Sequence, residues 1–184
     1  MDLIDAARML VSNPKLQSPS SKLHLLFAGS GELGAQLRAN CNVIFDAERT
    51  TTGSYLPTSD SKNPRASFAG FLNQTEISKA YVAADVLVLP SDYDETWGLV
   101  VNEAMASGLP CIISDHCGCT EDLGAIGANS VYECANVVSL ANELIKFEQN
   151  GRRTMTASDL VKHSFGETVK TVARIYQDIV IVPS

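Results

Sequence analysis

The sequence predicts an α/β domain built on a parallel sheet of about six strands, with helices covering both faces. Short apolar runs typical of buried parallel strands alternate along the chain with segments in which apolar residues recur at helical spacing. The chain has 184 residues, of which 45% are hydrophobic and 19% charged. It can therefore bury a sizeable core, and it is most simply one domain, residues 1–184.

The predicted elements alternate between strand and helix along most of the chain. The predicted strands cover residues 23–28, 42–45, 66–71, 86–89, 111–113 and 130–132. The predicted helices cover about 2–12, 34–39, 73–84, 98–107, 121–123, 137–149, 153–163 and 166–180. We expect a core at about 22–145 and C-terminal helices at about 153–180. The polar stretch 49–65 is long for an α/β connection and is expected to be a lid or an insertion.

Two helix boundaries carry specific residue signals. Asn73, followed three residues later by Glu76, has the pattern of a capping box, in which the two side chains satisfy free backbone N–H groups. Gly108 stands just after a predicted helix, where a left-handed residue commonly ends one. The predicted helix 98–107, which Gly108 follows, lies between the predicted buried strands 86–89 and 111–113. The residues before this helix form a loop at the carboxyl end of strand 86–89.

Net charge and composition exclude several classes of protein. The formal net charge of −7 argues against a general binder of nucleic acid or of anionic membranes, because both need clustered Lys and Arg. No stretch reaches the roughly 18 apolar residues of a membrane span. Residues 1–20 lack the apolar region of a secretory signal, so we expect a cytoplasmic protein.

The five cysteines are an odd number and do not resemble a disulfide framework in a chain of this length. The segment His116-Cys117-Gly118-Cys119 could supply three metal ligands. No second Cys or His pair lies at zinc-like spacing to complete such a site. We therefore expect reduced, structural thiols and no metal.

A glycine-rich turn follows the first predicted strand. Gly29, Gly31 and Gly34 form the pattern G-x-G-x-x-G, and the acid Asp46 lies at the end of the next strand. This is the sequence form of a dinucleotide-binding site, although the intervening helix is short. The alternative is a tight turn that only lets helix and strand pack closely.

Two glutamates mark the loop and helix before Gly108. Glu95 lies in the loop, and Glu103 lies about one turn into the helix with its side chain leaning back toward the N-terminus, so both can face one cleft. Ionised carboxylates can accept hydrogen bonds from the vicinal hydroxyls of a sugar. The free N–H groups of Trp97, Gly98 and Leu99 would point at an anion such as a diphosphate. The pattern predicts a ligand with sugar and phosphate groups, and the alternative is two solvated surface acids.

Glu95 and Glu103 form an E-x7-E motif inside a longer block, E-x-W-G-L-V-V-N-E-A-M-A-x-G-L-P, that ends at Pro110. This block closely resembles the donor-binding half of the family-4 (group 1) GT-B glycosyltransferases. Further segments match in order and spacing, and the resemblance covers most of residues 22–145. These segments are 70–76, 81–91 and 114–123.

The resemblance implies a three-layer, Rossmann-like domain that is one half of a GT-B fold and binds a nucleotide-diphospho-sugar. It implies that Glu103 holds the ribose hydroxyls and that Glu95 contacts the donor sugar as the candidate catalytic residue. It also places the segment from Gly70 near the base and explains the glycine turn as the family's own. The implied donor-binding residues are Glu103, Thr96, Trp97, Gly98, Leu99, Gly70, Phe71, Leu72, Gly29 and Gly31.

The chain also departs from the family pattern. A family member has a second, N-terminal half with the acceptor site, and its donor half opens with a strand and an Arg/Lys pair that grip the diphosphate. Neither is present here, and without those cations diphosphate affinity should fall. We therefore expect a chain that is poorly active alone and partners with the missing half. Any peripheral membrane association would come through that half.

The resemblance implies a retaining enzyme without a metal or other cofactor that transfers a hexosyl group to a glycan or lipid. Two alternatives remain open. One is a stand-alone nucleotide-sugar-binding remnant without catalysis, and the other is a dinucleotide-dependent oxidoreductase that uses the glycine turn and Asp46. A GT-B epimerase or phosphorylase also remains possible, because the fold does not determine the reaction.

Overall fold

The structure is a computed structural model that describes residues 1–12, 23–49, 60, 62–92, 95–150, 154–160 and 165–180. Within these ranges the strands are β1 (His24–Ala28), β2 (Asn42–Asp46), β3 (Arg65–Gly70), β4 (Leu87–Leu89), β5 (Cys111–Ser114) and β6 (Ser130–Tyr132). The helices are α1 (Asp2–Ser12), α2 (Gly34–Ala39), α3 (Gln74–Ala83), α4 (Leu99–Ala106), α5 (Thr120–Leu123), α6 (Val137–Asn150), α7 (Ala157–Leu160) and α8 (Phe165–Val180). The predicted α/β class and the six strands are confirmed.

The six strands form two parallel three-stranded sheets rather than one continuous ladder. The first has the order β1-β3-β2 and the second the order β4-β5-β6. The sequence predicted one sheet, because alternation of strands and helices indicates parallel strands but does not show which strands pair. In the first sheet, β3 lies between two strands that both precede it in the chain.

The second sheet is covered on both faces. All four residues of β5 are buried, and successive side chains point in opposite directions. Cys111 and Ile113 join the cluster with α3 and α4, whereas Ile112 joins the cluster with α1 and α6. This half of the chain therefore has the predicted three layers.

The first sheet is packed mainly on one face. Leu25 and Phe68 lie in one cluster with Ile4 and Ala7 of α1. On the opposite face Leu26 is 43% exposed, and His24 is also exposed. Among the described residues, this face of the first sheet is therefore less covered than either face of the second.

Both predicted helix boundary signals are confirmed. The Asn73 side chain accepts from the backbone N–H of Glu76 at 3.1 Å, and the Glu76 carboxylate accepts from the N–H of Asn73 at 3.2 Å. At the end of α4, Gly108 has φ = +81°, and the N–H of Leu109 donates to the carbonyl of Ala104 at 2.9 Å. This bond between Leu109 and Ala104 is typical of a Schellman motif, which satisfies the last carbonyls of the helix.

Two predictions differ from the structure or lie outside it. The helix predicted for 153–163 begins only at Ala157, because 154–156 are described and are not helical, and its predicted end at 161–163 lies outside the described residues. Most of the predicted lid, namely 50–59 and 61, also lies outside them. In the described part of the chain, no helix has the length and apolar character needed to cross a lipid bilayer.

Candidate functional site

The loop from Glu95 to Gly98 leads from β4 into α4. Gly98 is the N-cap of the helix and has φ = +94°, a left-handed conformation that favours glycine. A Cβ atom at this position would lie 2.7 Å from the Cys117 sulfur and 3.1 Å from the side chain of Leu89. The backbone conformation and the limited space around Gly98 therefore both require glycine at this position. We call residues 95–98 the donor loop, after the role that the resemblance implies for them.

The carboxylate of Glu95 binds the N-terminus of its own helix. Its Oε1 accepts a hydrogen bond from the backbone N–H of Gly98 at 2.9 Å. The sequence predicted this N–H to point at an anion, and here that anion is a side chain of the protein. A carboxylate is stabilised at this position by the positive end of the helix dipole. A bound phosphate oxygen would have to replace the carboxylate there.

A turn formed by Cys117, Gly118 and Cys119 packs against the donor loop and forms hydrogen bonds with it. The carbonyl oxygen of Trp97 accepts from the Cys119 N–H at 2.8 Å and from the Cys117 thiol at 3.2 Å. The Gly118 N–H donates to the Glu95 carbonyl at 3.4 Å, and a Cβ atom at Gly118 would overlap the Thr96 carbonyl oxygen. The turn thus forms hydrogen bonds with Glu95 and Trp97 and lies against Thr96 between them.

The two thiols of this turn lie next to each other. Their sulfur atoms lie 3.5 Å apart and both cysteines are buried. Burial, together with the hydrogen bond to Cys117, raises the pKa of the Cys119 thiol to about 12. All five cysteines of the chain are free. The supporting role of this turn was not predicted, since only spatial contact links it to the loop.

The Trp97 side chain lies against the first turns of α4. Its indole N–H donates to the Asn102 side-chain oxygen at 3.0 Å, and the residue is 40% exposed. The exposed side chain of Leu99 extends the apolar surface beside it. The donor loop therefore carries a fixed, partly exposed aromatic ring.

Glu103 is exposed on α4, about one turn beyond the helix start. Its Oε2 accepts a hydrogen bond from the hydroxyl of Tyr81 on α3 at 2.9 Å. Tyr81 is only 6% exposed and packs in the cluster that contains Val101 and Met105. Tyr81 begins one of the segments that match the family pattern, but its hydroxyl contact with Glu103 was not predicted.

The remaining predicted residues lie at the carboxyl end of the first sheet. Gly70 ends β3 with φ = +68°, and its carbonyl accepts from the N–H of Gly29 at 2.7 Å. Phe71 is strongly exposed and Leu72 is half-buried. A Cβ atom at Gly29 or Gly31 would meet no atom within 4 Å. The structure thus brings together the loops after β1 and β3.

Asp46, the acid of the dinucleotide interpretation, is engaged by arginines. Arg38 donates two hydrogen bonds to its carboxylate, at 2.6 and 3.0 Å, and packs over the Phe68 ring with 4.6 Å to the centroid. Arg49 lies 3.5 Å from the same carboxylate, which is 7% exposed as a residue. These contacts occupy the oxygens that a dinucleotide ribose would need.

Comparisons with curated proteins find relatives that match part of the chain. Sulfoquinovosyl transferase SQD2 of Arabidopsis thaliana is 55% identical over 47 residues, which are 26% of this chain and 9% of that protein. Mannosylfructose-phosphate synthase of Agrobacterium fabrum is 29% identical over 119 residues, 63% of this chain and 22% of that protein. The chain therefore spans only a minor part of these curated relatives.

Solved structures with the same fold share little sequence with the chain. Sucrose-phosphate synthase from Thermosynechococcus elongatus has a TM-score of 0.55 and 18% identity, covering 92% of this chain and 48% of that one. HepE from Anabaena, solved in complex with UDP-glucose, has a TM-score of 0.52 and 15% identity, covering 95% and 52%. The chain spans about half of each.

The profile of the family described as "Glycosyl transferases group 1" matches residues 2–163, most of the chain. The match includes the donor loop, Glu103 and the glycine turn after β1. It also includes α1 and both three-stranded sheets. The chain belongs to the group 1 glycosyltransferases, which have the GT-B fold.

Proposed function

We propose that the chain is the nucleotide-diphospho-sugar-binding half of a retaining glycosyltransferase that transfers a hexosyl group to a glycan or lipid. The observation that carries the proposal is the donor loop, where a carboxylate and a helix N-terminus meet one turn away from the exposed Glu103. These groups match a sugar donor: hydrogen-bond acceptors for hydroxyls and N–H groups for phosphate.

In this proposal Glu95 exchanges its partner when the donor binds. The carboxylate leaves the Gly98 N–H, a diphosphate oxygen takes its place, and Glu95 accepts hydrogen bonds from the sugar instead. The exchange keeps the helix N-terminus paired with negative charge. Glu103 binds the ribose hydroxyls, and Phe71 and Leu72 lie near the base. No metal or other cofactor is needed for these contacts.

The acceptor site is proposed to lie in a second half, in a longer polypeptide or in another chain. This is supported by the solved structures of the fold, of which the chain covers 48% and 52%. Names of relatives that include a sulfoquinovosyl transferase and a mannosylfructose-phosphate synthase agree with transfer of a hexose-type sugar. Turnover by the 184-residue chain alone is expected to be slow, and robust transfer without a second polypeptide would contradict this.

The test is titration calorimetry of the chain with UDP-glucose, GDP-mannose and ADP-glucose. We expect one donor to bind, and Glu103→Gln to weaken its binding at least about tenfold, since hydrogen bonds to charged groups are strong. Glu148→Gln is the matched control, because Glu148 is exposed on α6, in the opposite layer.

This titration, a titration with NAD and a transfer assay with the second half supplied together separate the alternatives. Binding without transfer, even after the second half is supplied, would favour a binding remnant. Binding of NAD but of no nucleotide-sugar would favour the dinucleotide site. Equal effects of Glu103→Gln and Glu148→Gln would remove the ribose role of Glu103.

A further inference from the structure

One contact beside the candidate site connects the two helices that carry it. The hydroxyl of Tyr81 on α3 donates to Glu103 Oε2 on α4 at 2.9 Å. Tyr81 is only 6% exposed and lies in an apolar cluster with residues of α4 and β5, such as Val101 and Cys111. The ring is therefore held by packing, and its hydroxyl emerges at the carboxylate of an exposed glutamate.

This contact restricts a side chain that would otherwise be mobile. An exposed glutamate has several rotamers, and ordering it costs conformational entropy. A hydroxyl that donates to an ionised carboxylate forms one of the stronger classes of hydrogen bond. Burial, and then the bond to Glu103, raise the pKa of Tyr81 above its usual range, so the hydroxyl stays protonated and keeps donating at neutral pH.

The contact also links two parts of the site through one helix. Asn73, the N-cap of α3, directly follows Gly70, Phe71 and Leu72, and the first turn of the helix is fixed by the capping box. The helix ends at Ala83, and Tyr81 lies in its last turn. The segment assigned to the base and the acid assigned to the ribose are thus connected by a single rigid element.

We propose that Tyr81 is a positioning residue that orients the Glu103 carboxylate for the vicinal hydroxyls of the nucleotide ribose. The proposal rests on the proposed function, in which Glu103 binds that ribose. Tyr81 holds one carboxylate oxygen, and the remaining acceptor sites of the carboxylate stay directed at the 2′- and 3′-hydroxyls. Tyr81 itself does not touch the ligand.

The test compares ribonucleotides with 2′-deoxynucleotides. UDP, GDP and ADP, and dUDP, dGDP and dADP, are titrated into the wild-type chain, Tyr81→Phe, Glu103→Gln and the double variant. Tyr132→Phe is the matched control. Tyr132 is also buried, but it lies in a different cluster, the one around α6.

For the wild type we expect the best ribonucleotide to bind about tenfold more tightly than its deoxy form. Tyr81→Phe should reduce this preference to about twofold by weakening only the ribonucleotide, and Glu103→Gln should remove it. The double variant should match Glu103→Gln, because Tyr81 acts through Glu103. The control should keep the preference.

Each contrary result has a distinct meaning. If Tyr81→Phe weakens ribo- and deoxynucleotide binding equally, the residue is merely structural and the proposal is wrong, whereas Glu103 keeps its role. If Glu103→Gln leaves the preference intact, the ribose role of Glu103 fails first, and with it the proposed function of that residue. If no nucleotide binds the wild type, both proposals are overturned.

Discussion

Asp46 shows how one residue can match a motif and yet have another task. It stands where an acid of a dinucleotide site would stand, but Arg38 and Arg49 both pair with its carboxylate. Arg38 also contacts Glu48 at 2.9 Å and lies over Phe68. The acid therefore joins α2 to the ends of β2 and β3, and the short α2 is anchored by a charged network.

This network predicts a pH-dependent stability. The hydrogen bonds from Arg38 hold the pKa of Asp46 below its ordinary value of 3.8, so the folded state binds its proton less tightly than the unfolded state. The stabilisation is fully present above the unfolded pKa and is lost as pH falls through the lower folded pKa. Asp46→Asn should thus cost about 1–2 kcal/mol near neutral pH and progressively less below about pH 4.

Urea denaturation at a series of pH values measures this difference. Asp122→Asn is a suitable control, because Asp122 is exposed on α5 and its replacement should change little at any pH. A stability difference for Asp46→Asn that stayed constant down to acid pH would show that the ion pair is not its source.

At the scale of single elements, the donor loop and α4 depend on glycines at both ends. Gly98 and Gly108 both have positive φ, but only Gly98 is crowded, with two sulfur atoms and Leu89 around its missing Cβ. Around Gly108 a Cβ atom would meet nothing within 4 Å. At the start of α4, packing therefore adds to the conformational requirement for glycine, whereas at its end no packing around the missing Cβ adds to it.

A pair of alanine variants separates these two effects. Gly108→Ala should cost about 1 kcal/mol, the cost of a left-handed alanine. Gly98→Ala should cost about 2–4 kcal/mol, because overpacking adds to that strain. Thermal unfolding of both variants gives the comparison. Equal losses would mean that the Cys117-Gly118-Cys119 turn moves aside freely and does not hold the loop.

Features of local chemistry were predictable from the sequence at this scale, and long-range contacts were not. The Asn73 capping box and the Gly108 helix end depend on residues a few positions apart, and both were predicted. The Tyr81 hydroxyl meets Glu103 across 22 positions, and the turn at Cys117 meets Trp97 across 20. No pattern within either segment indicates such a partner.

At the scale of the whole molecule, α1 joins the two sheets. Ile4 and Ala7 lie in the cluster of the first sheet, Ala6 lies in the cluster of the second, and Leu3 packs against both. The division of six strands into two sheets could not be predicted, because strand pairing depends on contacts between distant residues. The sequence predicted that α1 is a helix with apolar residues at helical spacing, but it did not indicate that α1 packs against both sheets.

The role of α1 predicts a response in both halves. Ile4→Ala should destabilise the chain by about 2–5 kcal/mol, since Ile4 is fully buried. Met9→Ala is the control, because Met9 is 44% exposed and its loss should cost less than about 0.5 kcal/mol. In the Ile4→Ala variant, hydrogen exchange should show reduced protection of the backbone amides in β1 and β5 together. Loss in β1 alone would mean that the sheets unfold independently.

The indole held by Asn102 has a practical consequence. Trp97 is the single tryptophan of the chain, so all tryptophan emission comes from the donor loop. The intensity of this emission depends on the polarity around the indole, so it reports on the immediate surroundings of Glu95 and Gly98 without any attached dye. Rapid-mixing fluorescence can therefore follow events at this loop in real time, separately from the rest of the molecule.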